Sequence, residues 1–214
     1  MRLYLSSAGV GNHLDKLIQI VGGGRKVLYV NNAKDFLPKN VRDEHSAEKK
    51  EEFEGYGFNF QELDLRDYFE QSNQPDLKQA LTGVDLLWVG GGNTFVLRRA
   101  FRQSGLDRLL PKLLGGDELA YGGSSAGSII LTKTLRGTEK GDDPYTVPSG
   151  YGAEIIWDGL GLIDIQLAVH VDSDWFEDEA QAMIGYYENN NLKYESLRDG
   201  EVYIVNGRQR EKLR

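Results

Sequence analysis

The residues best suited to chemistry lie in a short glycine-rich segment near the middle of the chain. Residues 123–127 read Gly-Ser-Ser-Ala-Gly and match the pattern G-x-S-x-G, between an apolar strand-like run and an apolar run that can start a helix. In this context the glycines allow a tight turn that exposes the central serine hydroxyl on strained backbone. The pattern predicts that Ser125 is a nucleophile, with Ser124 and Ser128 as weaker candidates. The alternative is a turn that only joins a strand to a helix or holds a phosphate.

A second glycine turn, Gly90-Gly91-Gly92-Asn93, also follows an apolar strand-like run and leads into a helix. In a parallel sheet both turns would lie at the carboxyl edge, where ligands bind. The glycines would let backbone N–H groups approach a substrate closely, Asn93 is a good helix N-cap, and the N–H of Ala126 could help stabilise an oxyanion. The segment lacks both G-x-G-x-x-G and the lysine of a P-loop, so a nucleotide site is disfavoured.

A serine nucleophile needs a base, and the chain offers three histidines. His170 ends an apolar run, residues 163–169, that could bring it to the same sheet edge as Ser125. His13 lies beside a glycine-containing turn, and His45 lies in a charged run that predicts solvent exposure. Because it is expected at the same sheet edge as the serine turn, His170 is favoured as the base.

A carboxylate must then hold the histidine in one tautomer and stabilise its cation. Asp199 is a candidate because it lies in a turn just after a predicted strand, although Asp-Gly is also typical of an ordinary hairpin turn. The other candidates lie in a predicted loop or beside the histidine: Asp142, Asp143, Asp172 and Asp174. The residues alone leave this choice open.

These side chains need a scaffold that brings strand ends together. Short β-rich runs alternate with longer helical stretches, which is typical of an α/β fold with a doubly wound, mostly parallel sheet and helices on both faces. The predicted strands are residues 3–6, 26–30, 59–63, 86–89, 119–121, 165–170, 194–197 and 201–205. With 214 residues and neither an internal repeat nor a linker, a single domain spanning residues 1–214 is expected.

The stretches between these strands include several predicted helices and one long loop. Helices are predicted over residues 13–21, 40–55 and 94–102, with a further helical piece from Gly105 that is kinked or restarted at Pro111. Residues 137–152 contain glycines and prolines without periodicity and predict a long loop. Such loops often border active sites.

Composition excludes several classes of function. The chain has no cysteine and only three histidines, so disulfides and thiolate chemistry are excluded, and neither a metal nor another cofactor is predicted. A formal charge of −8 disfavours binding to nucleic acid or to an anionic membrane, and no apolar run approaches the ~18 residues of a membrane span. The amino terminus enters a strand-like run without the features of a secretory signal, so a cytoplasmic location is expected.

In order and spacing, residues 88–95, residues 123–127 and His170 resemble the peptidase E or aspartyl dipeptidase family. The resemblance extends from Leu3 to Gly200. It implies a class I glutamine amidotransferase-like (flavodoxin-like) fold, with serine where the amidotransferases have cysteine. It also implies a serine peptidase that cleaves small, dipeptide-like amides, and a monomer or homodimer is expected.

The resemblance assigns roles to individual residues. It implies that Ser125 is the nucleophile, that His170 is the base, and that the N–H groups of Gly92 and Ala126 form the oxyanion hole. Asp199 is favoured as the acid because family members can carry Glu in a similar Leu-x-Glu-Gly segment. The alternative is an amidotransferase-like protein that binds a small ligand without catalysis.

One segment departs from the family pattern. Aspartyl dipeptidases follow the histidine with a basic stretch, whereas residues 168–179 of this chain contain five acidic residues and no Arg or Lys. An acidic substrate would be repelled there, so we expect neutral or basic amino-terminal residues to be preferred over Asp. The segments that could still supply a cation contain Arg98, Arg99, Lys133, Arg136 and Lys140.

Overall fold

The computed structural model describes residues 1–69 and 76–214, and a seven-stranded sheet lies at its centre. The strands within these residues are β1 (Arg2–Ser6), β2 (Lys26–Val30), β3 (Asn59–Glu62), β4 (Leu86–Val89), β5 (Ala120–Ser124), β6 (Gln166–Ala168), β7 (Tyr194–Ser196), β8 (Val202–Asn206) and β9 (Gln209–Leu213). The large sheet has the order β3-β2-β4-β5-β1-β8-β9. Its first five strands run parallel, and β8 and β9 are antiparallel to their neighbours. The predicted mostly parallel α/β fold is confirmed.

Helices cover both faces of this sheet. They are α1 (Leu14–Val21), α2 (Lys39–Gly55), α3 (Leu77–Ala80), α4 (Thr94–Ser104), α5 (Leu106–Gly115), α6 (Ala126–Ile129) and α7 (Glu177–Asn189), with 3₁₀ turns at Asn32–Lys34, Leu65–Tyr68 and Thr138–Lys140. On one face Leu17 of α1 and Phe53 of α2 are fully buried in a core with Trp88. Residues of α4, α5 and α7 belong to a second, larger core on the other face. Burial of both faces explains why the central strands read as unbroken apolar runs.

Several elements differ from their sequence predictions, among them two strands and one helix. The strand predicted over residues 165–170 is shorter and lies outside the large sheet, because β6 pairs in parallel with β7 to form a two-stranded sheet. The sequence analysis missed β9, an edge strand whose residues are mostly charged. Helix α5 continues through Pro111 and does not restart there, because burial of its apolar face outweighs one lost backbone hydrogen bond.

The loop over residues 137–152 is held against α4 by a buried arginine. The Arg99 guanidinium donates hydrogen bonds to the carbonyl oxygens of Pro144, Thr146 and Glu154. The neighbouring Arg98 forms an ion pair with Asp107. Both arginines therefore have structural partners, and the loop that they organise has a fixed position beside the start of α4.

Candidate active site

The serine turn has the geometry of a nucleophile elbow. Ser125 lies between β5 and α6 with φ 52° and ψ −114°, a backbone conformation that is costly for any residue other than glycine. The two flanking glycines are required by space, since a methyl group at Gly127 would lie 2.1 Å from the Val89 carbonyl oxygen and one at Gly123 would lie 2.4 Å from the Gly127 carbonyl oxygen. Both contacts agree with the tight turn that the sequence pattern predicted.

Three of the predicted site residues lie within hydrogen-bond distance of one another. Nε2 of His170 lies 3.0 Å from Oγ of Ser125, and Nδ1 of the same ring lies 2.6 Å from Oδ1 of Asp199. Because a carboxylate can only accept, Nδ1 carries the hydrogen, and Nε2 is left to accept from the serine hydroxyl. The arrangement can remove the Ser125 proton and stabilise the resulting imidazolium.

The charge of Asp199 is maintained by its hydrogen-bond donors. Burial raises the pKa of this carboxyl, but hydrogen bonds from His170, Ser7 and Ser173 outweigh burial and hold the pKa below its ordinary value. The Ser7 and Ser173 hydroxyls each donate over 2.9 Å. Asp199 is therefore ionised at neutral pH, as a group that must stabilise an imidazolium should be.

Ser7 joins this pair to the large sheet, and the sequence analysis missed it. Ser7 follows β1, which lies beside β5, and its Oγ accepts a hydrogen bond of 2.7 Å from the backbone N–H of His170 while donating to Asp199. A hydroxyl directly after a strand, at the edge where parallel strands end, is the signal that could have identified it. His170 itself has φ 58°, so this contact holds a backbone conformation of higher energy.

The second glycine turn lies directly against the serine. A methyl group at Gly91 would lie 3.0 Å from Cβ and 3.6 Å from Oγ of Ser125. Asn93 accepts hydrogen bonds from the N–H groups of Phe95 and Val96 and so caps α4, as predicted. Within residues 1–69 and 76–214, the N–H groups of Gly92 and Ala126 donate to no acceptor and are available to an oxyanion.

The alternative acids do not reach the histidine. Asp142 accepts from the Thr94 N–H over 2.8 Å, and burial raises its pKa to about 6. Asp143 accepts from the Tyr145 N–H in its own turn. Asp172 forms an ion pair with Arg198, while Asp174 is exposed. Asp199 is the candidate acid that the structure brings to His170.

Among the described hydrogen bonds, none joins the side chain of another candidate nucleophile or base to the side chain of Ser125 or His170. The buried hydroxyl of Ser128 donates to the Ser6 carbonyl oxygen, and Ser124 is the last residue of β5. His13 contacts the Arg214 carbonyl oxygen at the end of the chain. The partly exposed His45 lies beside Glu48 on α2, consistent with the predicted solvent exposure.

The segment after the histidine covers one side of the site. The exposed ring of Trp175 lies 4.6 Å from the His170 ring, and the ring of Phe176 lies 5.4 Å from it. Phe176 also fills the space beside Gly141, where a methyl group would lie 2.2 Å from it. The acidic segment therefore lies next to the candidate base, as the sequence analysis expected.

Two further observations concern ions and membranes. Within the described part of the chain, no group of three or more His, Asp or Glu side chains is arranged to hold a metal ion. Across the same residues, no helix combines the length and apolar character needed to cross a lipid bilayer.

Comparisons with known proteins extend over nearly the whole chain. Residues 4–213 match the model of peptidase family S51. A probable alpha-aspartyl dipeptidase of Drosophila melanogaster is 32% identical over 137 residues, which are 63% of this chain and 50% of that protein. A peptidase E of Streptomyces coelicolor is 32% identical over 133 residues, 59% of this chain and 51% of that one. The chain thus spans about half the length of these two curated relatives.

Solved structures share the fold. The crystal structure of a candidate peptidase E from Listeria monocytogenes covers 100% of this chain and 98% of its own, with a TM-score of 0.78 and 21% identity. The crystal structure of a peptidase from an acI-B1 actinobacterium covers 99% of this chain and 93% of its own, with a TM-score of 0.59 and 14% identity. From the family match over residues 4–213, the chain belongs to peptidase family S51, whose members are serine-type peptidases.

Proposed function

We propose that this protein is a serine peptidase that cleaves small peptides through an acyl-enzyme formed on Ser125, with His170 as base and Asp199 as acid. The observation that supports the proposal most is the pair of distances at the histidine, 3.0 Å to the serine hydroxyl and 2.6 Å to the carboxylate. The family membership supports peptidase chemistry in general. The name of one curated relative, a probable alpha-aspartyl dipeptidase, suggests that short peptides are the substrates.

In the first half of the reaction, Ser125 Oγ attacks the substrate carbonyl carbon while its proton moves to Nε2 of His170. The carbonyl oxygen becomes an oxyanion that accepts hydrogen bonds from the N–H groups of Gly92 and Ala126. The tetrahedral intermediate then breaks its C–N bond. The amine leaves with the proton from Nε2, and the acyl group remains as an ester on Ser125.

In the second half a water molecule takes the place of the amine. His170 accepts a proton from this water, the resulting hydroxide attacks the ester, and collapse of the second tetrahedral intermediate returns the proton to Ser125. Throughout, Asp199 accepts the hydrogen bond from Nδ1–H, so Nε2 remains the ring nitrogen that takes up and returns the proton.

Labelling with a fluorophosphonate tests the nucleophile directly. The reagent reacts with an activated serine, so we expect one stoichiometric adduct on the tryptic peptide that contains Ser125, with no label in a Ser125→Ala variant. Intact-protein and peptide mass spectrometry measure the result. Labelling of the native chain at another residue, or no labelling together with tight binding of a peptide, would instead favour a ligand-binding protein without catalysis.

Substrate charge is the second feature of the proposal. Asp174 lies beside Trp175, which contacts His170, and within the described residues no cation pairs with Asp174. Two like charges ~8 Å apart at an effective dielectric near 20 repel by about 2 kcal/mol, or about thirtyfold in rate. Arg98 and Arg99 cannot offset this because both have structural partners. We therefore expect neutral or basic amino-terminal residues to be preferred over Asp.

The measurement is kcat/KM for Asp-Leu, Ala-Leu and Lys-Leu at two ionic strengths. An electrostatic cause requires the differences to shrink with salt and the Asp174→Asn variant to improve Asp-Leu relative to Ala-Leu. A clear preference for Asp-Leu in the native protein would contradict the expectation and would mean that a cation near the site receives the substrate carboxylate.

A further inference from the structure

Lys34 contacts the glycine turn beside the candidate nucleophile, and nothing above assigns it a role. It ends the 3₁₀ turn after β2, and its Nζ donates a hydrogen bond of 2.8 Å to the Gly91 carbonyl oxygen. A second acceptor, Oδ1 of Asn31, lies 3.4 Å away. Within the described residues no carboxylate lies within ion-pair distance of Nζ, so its strongest partner is a backbone carbonyl.

The Gly91 carbonyl belongs to the same planar peptide group as the Gly92 N–H. In a trans peptide these two groups point in opposite directions, and the described chain contains no cis peptide. A donor that fixes the carbonyl therefore also fixes the direction of the N–H. A glycine on each side makes this peptide easy to rotate, and Gly92 has φ 142°, a conformation that other residues rarely adopt.

Close packing on both sides limits the movement of the Gly91–Gly92 peptide group. A methyl group at Gly92 would lie 2.5 Å from the Ala33 carbonyl oxygen, so the turn packs closely against the segment that carries Lys34. Gly91 faces Ser125 on its other side. Resting on the function proposed above, we propose that Lys34 is a positioning residue: its ammonium holds the Gly91–Gly92 peptide so that the Gly92 N–H faces the oxyanion.

The charge of Lys34 is set by three neighbouring elements. Burial, and to a smaller extent Lys49 on α2, lower its pKa to about 8, while Glu48 on α2 acts in the opposite direction. The turn after β2 contributes the neutral Asn31, whose Oδ1 also accepts from the Tyr29 hydroxyl, and the β4–α4 turn contributes the Gly91 carbonyl. The ammonium is therefore charged at pH 7 and loses its charge near pH 8, where its hydrogen bond to the carbonyl weakens.

The test compares Lys34→Met and Lys34→Arg with the exposed control Lys39→Met. Because a misaligned oxyanion donor affects the transition state, we expect Lys34→Met to lower kcat by about 10- to 100-fold with little change in KM. Its Tm should be unchanged or higher, since an apolar side chain replaces a partly buried ammonium. Lys34→Arg should retain most of kcat and move the alkaline fall of the native pH profile, expected near pH 8, to higher pH.

The outcomes separate this proposal from the one on which it rests. Native kcat in Lys34→Met, a rise in KM alone, or an alkaline limb unaffected by Lys34→Arg would each overturn the positioning role while Ser125-dependent hydrolysis remained intact. Hydrolysis that persists in Ser125→Ala would overturn both proposals. Should Lys34→Met fail to fold, the pH profile of Lys34→Arg decides the question alone.

Discussion

Replacing Ser125 with alanine is expected to lower kcat by about 10⁴- to 10⁶-fold, the range found when a nucleophile that works with a base is removed. The remaining residues can still bind a substrate, but no oxygen is left where Nε2 of His170 can take its proton. The melting temperature should hardly change, because the backbone of Ser125 is held by its neighbours, including a hydrogen bond from its N–H to the Ser6 carbonyl oxygen. Dipeptide hydrolysis and thermal unfolding measure the two effects.

Ser124→Ala is the matched control, because it removes the neighbouring hydroxyl from the same turn. We expect this variant to keep substantial activity, since Ser124 is the last residue of β5 and Ser125 is the one that contacts His170. Turnover in Ser125→Ala near that of the native protein would refute the serine mechanism. A comparable loss in Ser124→Ala would show that the assay reports damage to the turn.

The Asp199→Asn variant is expected to lose about 10⁴-fold in kcat. The amide is similar in size, but its NH₂ group can donate to Nδ1 of His170, and the hydrogen then moves to Nε2, which can no longer act as base. Binding should change less, because Asp199 contacts the histidine and two serines on the side away from Ser125. KM and kcat measured separately on Ala-Leu test this.

The control for the acid is Asp143→Asn. This carboxylate accepts hydrogen bonds within its own turn, from the Tyr145 N–H and the Thr146 hydroxyl, and does not contact His170. Its loss should cost little activity. If Asp143→Asn lost as much activity as we expect of Asp199→Asn, while the latter remained active, the assignment of the acid would be wrong.

The sequence predicted the central strands well because they are buried on both faces. A continuous apolar run identifies such a strand even when the neighbouring strands are unknown. Strand β9 was missed for the opposite reason: it lies at the sheet edge and carries mostly charged residues. The two-residue loop before it, Gly207-Arg208, begins with a glycine, a hairpin signal that could have revealed it.

At the site, residues that belong to a local pattern were predictable and those that depend on strand order were not. The serine turn follows from the spacing of its glycines, and Asn93 follows from its place before a helix. Ser7 and Lys34 have no motif. Ser7 reaches Asp199 because β1 lies beside β8, and Lys34 reaches Gly91 because β2 lies beside β4. Strand order is a property of the folded sheet, and the spacing of neighbouring residues in the sequence does not reveal it.

The two-sheet arrangement has a consequence for how heat or denaturant inactivates the protein. His170 and Asp199 follow the strands of the small sheet, whereas Ser125 and Ser7 follow strands of the large one. Cooperative units of a protein can open separately, at lower free energy than global unfolding. In the proposed mechanism, loosening of the small sheet would separate base from nucleophile while the large sheet stayed folded. Loss of turnover would then report this partial opening before circular dichroism reported loss of secondary structure.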